Sequence, residues 1–89
     1  MTYNIVFTKK ARKDLEKIIN SPFKKQVYNL LTTLENNPYK PSFEKLVGKL
    51  EGAYSRRINV QHRLVYKIDE KNHTVVIIAM WSHYGNRLG

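Results

Sequence analysis

The chain has 89 residues, with 16 Lys and Arg against 7 Asp and Glu, three His and no Cys, for a formal net charge of +9. That length allows one domain burying about 60–65% of its unfolded surface; lack of cysteine excludes disulfides and Cys-based zinc sites, and 42% hydrophobic with 26% charged residues excludes a disordered tail. The longest apolar run, Val75–Trp81, is far short of the roughly 20 residues of a membrane span, and MTYNIVFTKK lacks the charge-then-apolar order of a secretory signal, so a soluble protein drawn to polyanions or to an acidic partner is expected.

Tyr3-Asn4-Ile5-Val6-Phe7 is β-branched and aromatic and reads as a first strand. Thr8 can cap a helix over Lys9–Asn20, with Ala11, Leu15, Ile18 and Ile19 on one face and Lys9, Lys10, Arg12, Lys13 and Lys17 on the other. Ser21-Pro22 stops that helix and starts another, with Ser21 as its cap. Phe23, Val27, Leu30, Leu31 and Leu34 then follow the strongest helical period in the chain, and Asn36-Asn37-Pro38 ends it. Two helices joined by so short a turn form a hairpin whose shared apolar faces need a sheet to cover them.

Tyr39 to Gly52 is punctuated by Pro41, Gly48 and Gly52, is polar and broken, and reads as a functional loop or a short strand edge. Strands follow at Tyr54–Ile58, His62–Ile68 and Thr74–Trp81, separated by hairpin loops at Asn59-Val60-Gln61 and Asp69–Asn72. In the second, Leu64, Tyr66 and Ile68 alternate with Arg63, Val65 and Lys67, so one face is wetter. The expected fold is α+β in the order β-α-α-β-β-β: a twisted antiparallel sheet with the helical hairpin packed on one side. Residues 1–84 are expected to form the single domain and 85–89 a short tail.

Laid side by side, the strands gather polar residues. Arg57 and Arg63 sit across a tight turn, His83 and Tyr84 follow the last strand, and Glu44 lies in the loop feeding the sheet. A carboxylate, an imidazole, a phenol and two guanidiniums suit phosphodiester cleavage without a metal. Attack by the RNA 2′-hydroxyl needs a base for that hydroxyl, an acid for the departing 5′-oxygen and positive charge for the phosphorane. A carboxylate can be the base, histidine the acid, and arginine offers a fork matched to phosphate oxygens. Tyr54, Tyr84 or Trp81 could stack on an unpaired base. The plainer alternatives are that Arg56 and Arg57 form a wet strand face, that Arg63 makes a surface ion pair with Glu44 or Glu51, that His62 and His73 merely flank turns, and that Trp81 and Tyr28 are packing residues. No His pair has the spacing of a zinc site.

Glu44-Lys45-Leu46, then Leu50-Glu51-Gly52-Ala53-Tyr54-Ser55-Arg56-Arg57-Ile58, then His62-Arg63-Leu64-Val65-Tyr66 and a closing His83-Tyr84 together resemble the Txe/YoeB branch of the RelE-like bacterial toxins. The resemblance implies a microbial RNase-like fold and the toxin of a type II toxin–antitoxin pair, a cytoplasmic, ribosome-dependent endoribonuclease that cuts mRNA in the decoding site of the 70S ribosome. By residue matching it implies Glu44 as general base, Arg63 as phosphate and transition-state stabiliser, His83 as general acid with Tyr84 beside it, and Arg57 as a phosphate contact. Lys45, Lys49, Arg56 and Tyr54 are further substrate-contact candidates. No cofactor or metal is implied; a cognate acidic antitoxin and a homodimer are. Three positions depart from the family pattern: five residues follow Tyr84, Val47 stands where a basic residue is expected, with Lys45 or Lys49 as substitutes, and Tyr54 replaces a tryptophan. Two other functions fit parts of the pattern: a non-catalytic toxin of the same superfold that inhibits a topoisomerase, and a basic RNA- or ribosome-binding module.

Overall fold

The structure is a computed structural model that describes residues 2–82. His83, Tyr84 and the expected tail at 85–89 lie outside the described residues.

The chain runs β1 (Asn4–Phe7), α1 (Lys9–Ile19), α2 (Lys24–Asn36), β2 (Glu44–Lys45), a 3-10 turn (Gly48–Leu50), β3 (Tyr54–Arg57), β4 (Arg63–Asp69) and β5 (Thr74–Ser82). Thr8 caps α1 as expected: its Oγ1 accepts from the Ala11 N–H at 3.1 Å and donates to the Ile78 carbonyl at 3.0 Å, so one hydroxyl starts the helix and ties it to β5. Ser21 acts one step earlier than a cap of α2. Its hydroxyl donates to the Ile18 carbonyl at 2.8 Å and accepts from Phe23 N–H at 3.1 Å, bridging the end of α1 to the turn that opens α2.

The five strands form one sheet in the order β1-β5-β4-β3-β2. β2 to β5 are antiparallel neighbours, but β1 pairs parallel with β5, from Asn4 opposite Thr74 to Phe7 opposite Ile77. The sheet is therefore mixed, where an antiparallel one was expected. Alternation identifies a strand but not its neighbour, and the helical crossover carries the chain away from β1 before any hairpin could pair it. The polar stretch before β3 also contributes more than a loop: Glu44 and Lys45 form the edge strand β2, and Leu46 is buried.

The two faces of the sheet hold two cores. Between sheet and helices lie Ala11, Ile18, Val27, Leu34, Leu64, Tyr66 and Ile77, the periodic positions of the sequence. On the opposite face, Val65 and Ala79 are covered by Leu46 and Ala53, with Leu50 and Ile78 against them. This small second core is what buries Val65, on the face expected to be wet.

The β4–β5 register slips twice, between Arg63 and Val65 and between Val65 and Tyr66. Irregular pairing frees strand amides, and each must find a new acceptor. Asp14 of α1 supplies it: one carboxylate oxygen accepts from Met80 N–H at 2.9 Å and Trp81 N–H at 3.3 Å, while Lys10 lies 3.1 Å away. Burial alone would push this carboxyl up, but the Met80 N–H, Lys10 and the Trp81 N–H outweigh it and hold Asp14 below the ordinary carboxylate range.

Candidate active site

Side chains directly opposite on paired strands share a face of the sheet. Glu44 is opposite Ser55, and Arg57 is opposite Arg63, so all four stand on the face away from the helices. Arg63 is the fixed member. Its side chain is 9% exposed, its Nε donates to Ser55 Oγ at 2.9 Å, and its Nη2 lies 3.2 Å from a carboxylate oxygen of Glu44. Glu44, by contrast, is 55% exposed along its side chain, so its carboxylate is open to a ligand while one edge rests on Arg63. Arg57 is exposed at the end of β3. Together with Ser42 and Phe43, these residues line a cleft of about 150 Å³.

The pair does little for folding. An ion pair with a half-exposed carboxylate contributes at most about 1 kcal/mol, and two arginines directly opposite each other on neighbouring strands repel. A fixed guanidinium, a second exposed one and an open carboxylate are instead complementary to a phosphodiester with a hydroxyl beside it. The guanidiniums match the non-bridging oxygens, and the carboxylate can take a proton from the hydroxyl.

Not every residue singled out in the sequence shares this cleft. Arg56 is the main correction: strand alternation turns it to the helix side, where it is buried and cannot reach a phosphate in the cleft. Its Nε donates to Tyr66 Oη at 3.1 Å, and its two other nitrogens donate to the carbonyls of Ser42, Pro38 and Lys40. Tyr54 faces the same way, with its ring 5.3 Å from that of Phe43 and 5.6 Å from that of Tyr66, so it packs and does not offer a base platform at the cleft. Lys45 is opposite Tyr54 and thus turned from Glu44; it is exposed at the sheet edge. Lys49 is exposed in the 3-10 turn, and Val47 beside it is an exposed apolar residue. His62 stacks on Trp81 at 4.1 Å and His73 on Tyr3 at 3.8 Å, both structural contacts. Tyr28 corrects a packing assignment: it is 70% exposed. Sequence reasoning overlooked Ser55, although alternation in the Tyr54–Arg57 strand already places it on the side of Arg57.

A larger cavity of about 520 Å³ lies across the molecule on the helical hairpin, lined by Leu15, Ile18, Ile19, Val27 and Tyr28 with Lys24 and Lys25 at its edge. Its lining is mainly apolar, and it brings together no carboxylate, imidazole or guanidinium, unlike the smaller cleft. Among the described residues no three His, Asp or Glu side chains group as a metal site, and no helix is long and apolar enough to cross a membrane.

A mixed five-stranded sheet with a helical hairpin packed on one face is the fold of solved YoeB- and RelE-type toxins. The family model for the YoeB-like toxin of bacterial type II toxin-antitoxin systems matches residues 7–84, and the chain belongs to this family. It is 38% identical over 64 residues to the toxin YoeB of a Synechocystis strain, covering 67% of this chain and 70% of that one. The YoeB/ParE toxin from Agrobacterium tumefaciens superposes with a TM-score of 0.83 at 25% identity, covering 91% of this chain and 99% of that one. YoeB from Staphylococcus aureus, 33% identical over 92% of this chain and 98% of that one, has TM-scores of 0.78 as a dimer and 0.77 in its complex with YefM. The chain is thus a toxin of the YoeB type.

Proposed function

We propose that this toxin is a metal-independent endoribonuclease that cuts mRNA on the 70S ribosome, in the decoding site. The observation that carries the reading is the Glu44–Arg63 pair, with Arg57 across the strand, in an open cleft on the helix-free face of the sheet. In the proposed reaction Glu44 takes the proton of the 2′-hydroxyl, whose oxygen forms a bond to phosphorus as the bond to the 5′-oxygen breaks. His83 gives its proton to that departing oxygen, leaving a 2′,3′-cyclic phosphate and a 5′-hydroxyl. Arg63 and Arg57 neutralise the charge that builds on the non-bridging oxygens. The support for His83 is its place in the chain: it directly follows Ser82, the register partner of Arg63, and it matches the closing His-Tyr of the family motif. Tyr84, next in the chain, is assigned to the same site by its match to the family motif.

The partners follow the same reading. The net charge of +9 suits both ribosomal RNA and an acidic antitoxin. YoeB of S. aureus was solved with YefM and as a dimer, and we extend both modes of assembly to this chain, together with a cytoplasmic site of action. The alternative of a topoisomerase inhibitor gives no role to an open Glu44–Arg63 pair.

Primer extension on an mRNA translated in a reconstituted system tests the reaction. Cuts are expected only when ribosomes are present, at a fixed place in the codon, and Glu44→Gln and His83→Gln should each slow them by about 10²–10⁴-fold while leaving the fold intact. Intact mRNA in the presence of wild-type toxin, or full cleavage by both variants, would overturn the assignment.

A further inference from the structure

Arg56 was displaced from the cleft by its burial, yet the partners it takes lead straight back to Glu44. A guanidinium withdrawn from water has to satisfy its donors inside the protein. All the partners of Arg56 among the described residues are neutral oxygens. Three of them are the carbonyls of Pro38, Lys40 and Ser42, every second residue of the segment between α2 and β2; the fourth is the phenol of Tyr66, which in turn donates to the Pro38 carbonyl at 3.2 Å. The guanidinium carbon also lies 5.6 Å from the centre of the Phe43 ring. From Pro38 to Phe43 the chain is folded around one cation, and the next residue is Glu44.

The two halves of this segment are held differently. The first half has other tethers: Asn37 Oδ1 accepts from Tyr39 N–H at 3.0 Å, Lys40 N–H reaches the Asn37 carbonyl at 3.1 Å, and the Tyr39 hydroxyl donates to Glu70. The second half, Ser42 and Phe43, is held among the described residues by Arg56 and by the packing of Phe43 on Tyr54. After it comes a two-residue strand, too short to fix its own position. Its C-terminal side is tied down by buried Leu46, whose N–H donates to the Ala53 carbonyl at 2.9 Å, so the N-terminal side depends on Arg56.

We propose that Arg56 is a positioning residue for Glu44: it wraps residues 38–43 so that the carboxylate is delivered opposite Ser55 and against Arg63. The inference rests on the reading of Glu44 as general base. Strand β3 then serves both faces, with Ser55 and Arg57 building the cleft and Arg56, between them, anchoring from behind the segment that completes it. The role needs arginine. Carbonyls on either side of the guanidinium and a phenol at Nε call for a planar fork, and the single ammonium of lysine cannot span them.

The test compares wild type, Arg56→Lys, Glu44→Gln and the double variant in single-turnover cleavage of mRNA on programmed ribosomes. Amide hydrogen exchange of the free toxins is measured in parallel. Arg56→Lys should lower the cleavage rate constant at saturating toxin by roughly 10- to 100-fold, since misplacing a reacting group by about 1 Å costs that order. The toxin concentration for half-maximal rate should stay within about 3-fold. In the Glu44→Gln background the same substitution should cost less than about 2-fold, because a residue acting through Glu44 has nothing further to lose. Exchange should accelerate at residues 42–46 while the amides of β4 and β5 keep their protection. Should Arg56→Lys fail to fold, Arg56→Gln, which buries no charge, carries the same comparison. A wild-type rate overturns the proposal, as does an equal loss with and without Glu44 or an acceleration of exchange spread over β4 and β5. If the wild type cleaves nothing, the nuclease reading fails on its own, and the exchange at residues 42–46 still decides whether Arg56 holds that segment.

Discussion

Asp14→Ala probes the joint between α1 and the irregular end of β5. Asp14 is 2% exposed, and its carboxylate takes the N–H groups of Met80 at 2.9 Å and Trp81 at 3.3 Å. Truncation leaves the buried Met80 N–H without a partner, and hydrogen bonds to a charged group contribute about 1.5–3 kcal/mol. The Lys10 contact adds little, because the lysine side chain is 52% exposed and solvent screens the pair to well under about 1 kcal/mol. The expected loss is about 3 kcal/mol, a fall in Tm on the order of 15 °C for a domain of this size. The effect has a pH signature. The folded-state pKa of Asp14 is lowered: burial raises it, and the Met80 N–H, Lys10 and the Trp81 N–H more than reverse that. A depressed carboxyl contributes stability that is fully present above the unfolded value, about 3.9, and is lost as pH falls through the folded value. Urea unfolding followed by Trp81 fluorescence should show a constant gap between wild type and variant from pH 5 to 8, narrowing below about pH 4. The carboxyls of Asp69 and Glu70 are also held low, by Asn72 and by Tyr39 and Tyr3, but both proteins retain them and they cancel in the comparison. A cost under about 1 kcal/mol at pH 7, or a gap that persists unchanged at pH 3, would refute the argument.

Arg63→Lys keeps the charge but loses the fork, and the single-turnover cleavage rate should drop by about 10²–10³ while Tm moves by only a few degrees, since the ion pair with exposed Glu44 is weak. Ser55→Ala removes the 2.9 Å anchor of the Arg63 Nε and should slow cleavage roughly tenfold, the effect of about 1.4 kcal/mol at the transition state, with ribosome affinity unchanged in a binding assay. Tyr39→Phe deletes the largest of the contacts that hold the Glu70 carboxyl low, so an NMR titration should find that carboxyl higher than in wild type; an unchanged titration would refute the role of the Tyr39 hydrogen bond.

Periodicity carried most of the fold. Thr8 before the helix, the Val27–Leu30–Leu31–Leu34 stripe and the Leu64–Tyr66–Ile68 alternation all describe local choices that the structure keeps. What they could not convey is long-range: that β1 lies parallel to β5, and that Leu46 and Ala53 return to cover Val65. The site divides along the same line. Glu44 and Arg63 meet as their residue types suggest, but Arg56 and Arg57 are identical neighbours with opposite fates. The distinguishing signal was present in the alternation, since Arg56 pairs with Leu64 of the apolar row and Arg57 with Arg63 of the other. That a cation could sit on the apolar side was not legible, because its stabilising carbonyls come from residues 38–42, a segment without a pattern of its own.

Resolving Arg56 also redraws the charge. Residues 40–67 carry seven basic and two acidic side chains, but one of the seven is enclosed by carbonyls and another is held against Glu44. The open positive charge on the cleft face is Arg57 and Lys67, with the free edge of Arg63. The other basic concentration, seven side chains within residues 1–25, belongs to α1 and the start of α2, whose apolar faces pack on the opposite side of the sheet. A body measuring 31 × 28 × 25 Å with cationic surfaces on opposing sides is suited to a partner that surrounds it. Under the proposed function, that charge would serve a polyanionic partner that reaches both sides of the toxin, with the strand to be cut held at the cleft face.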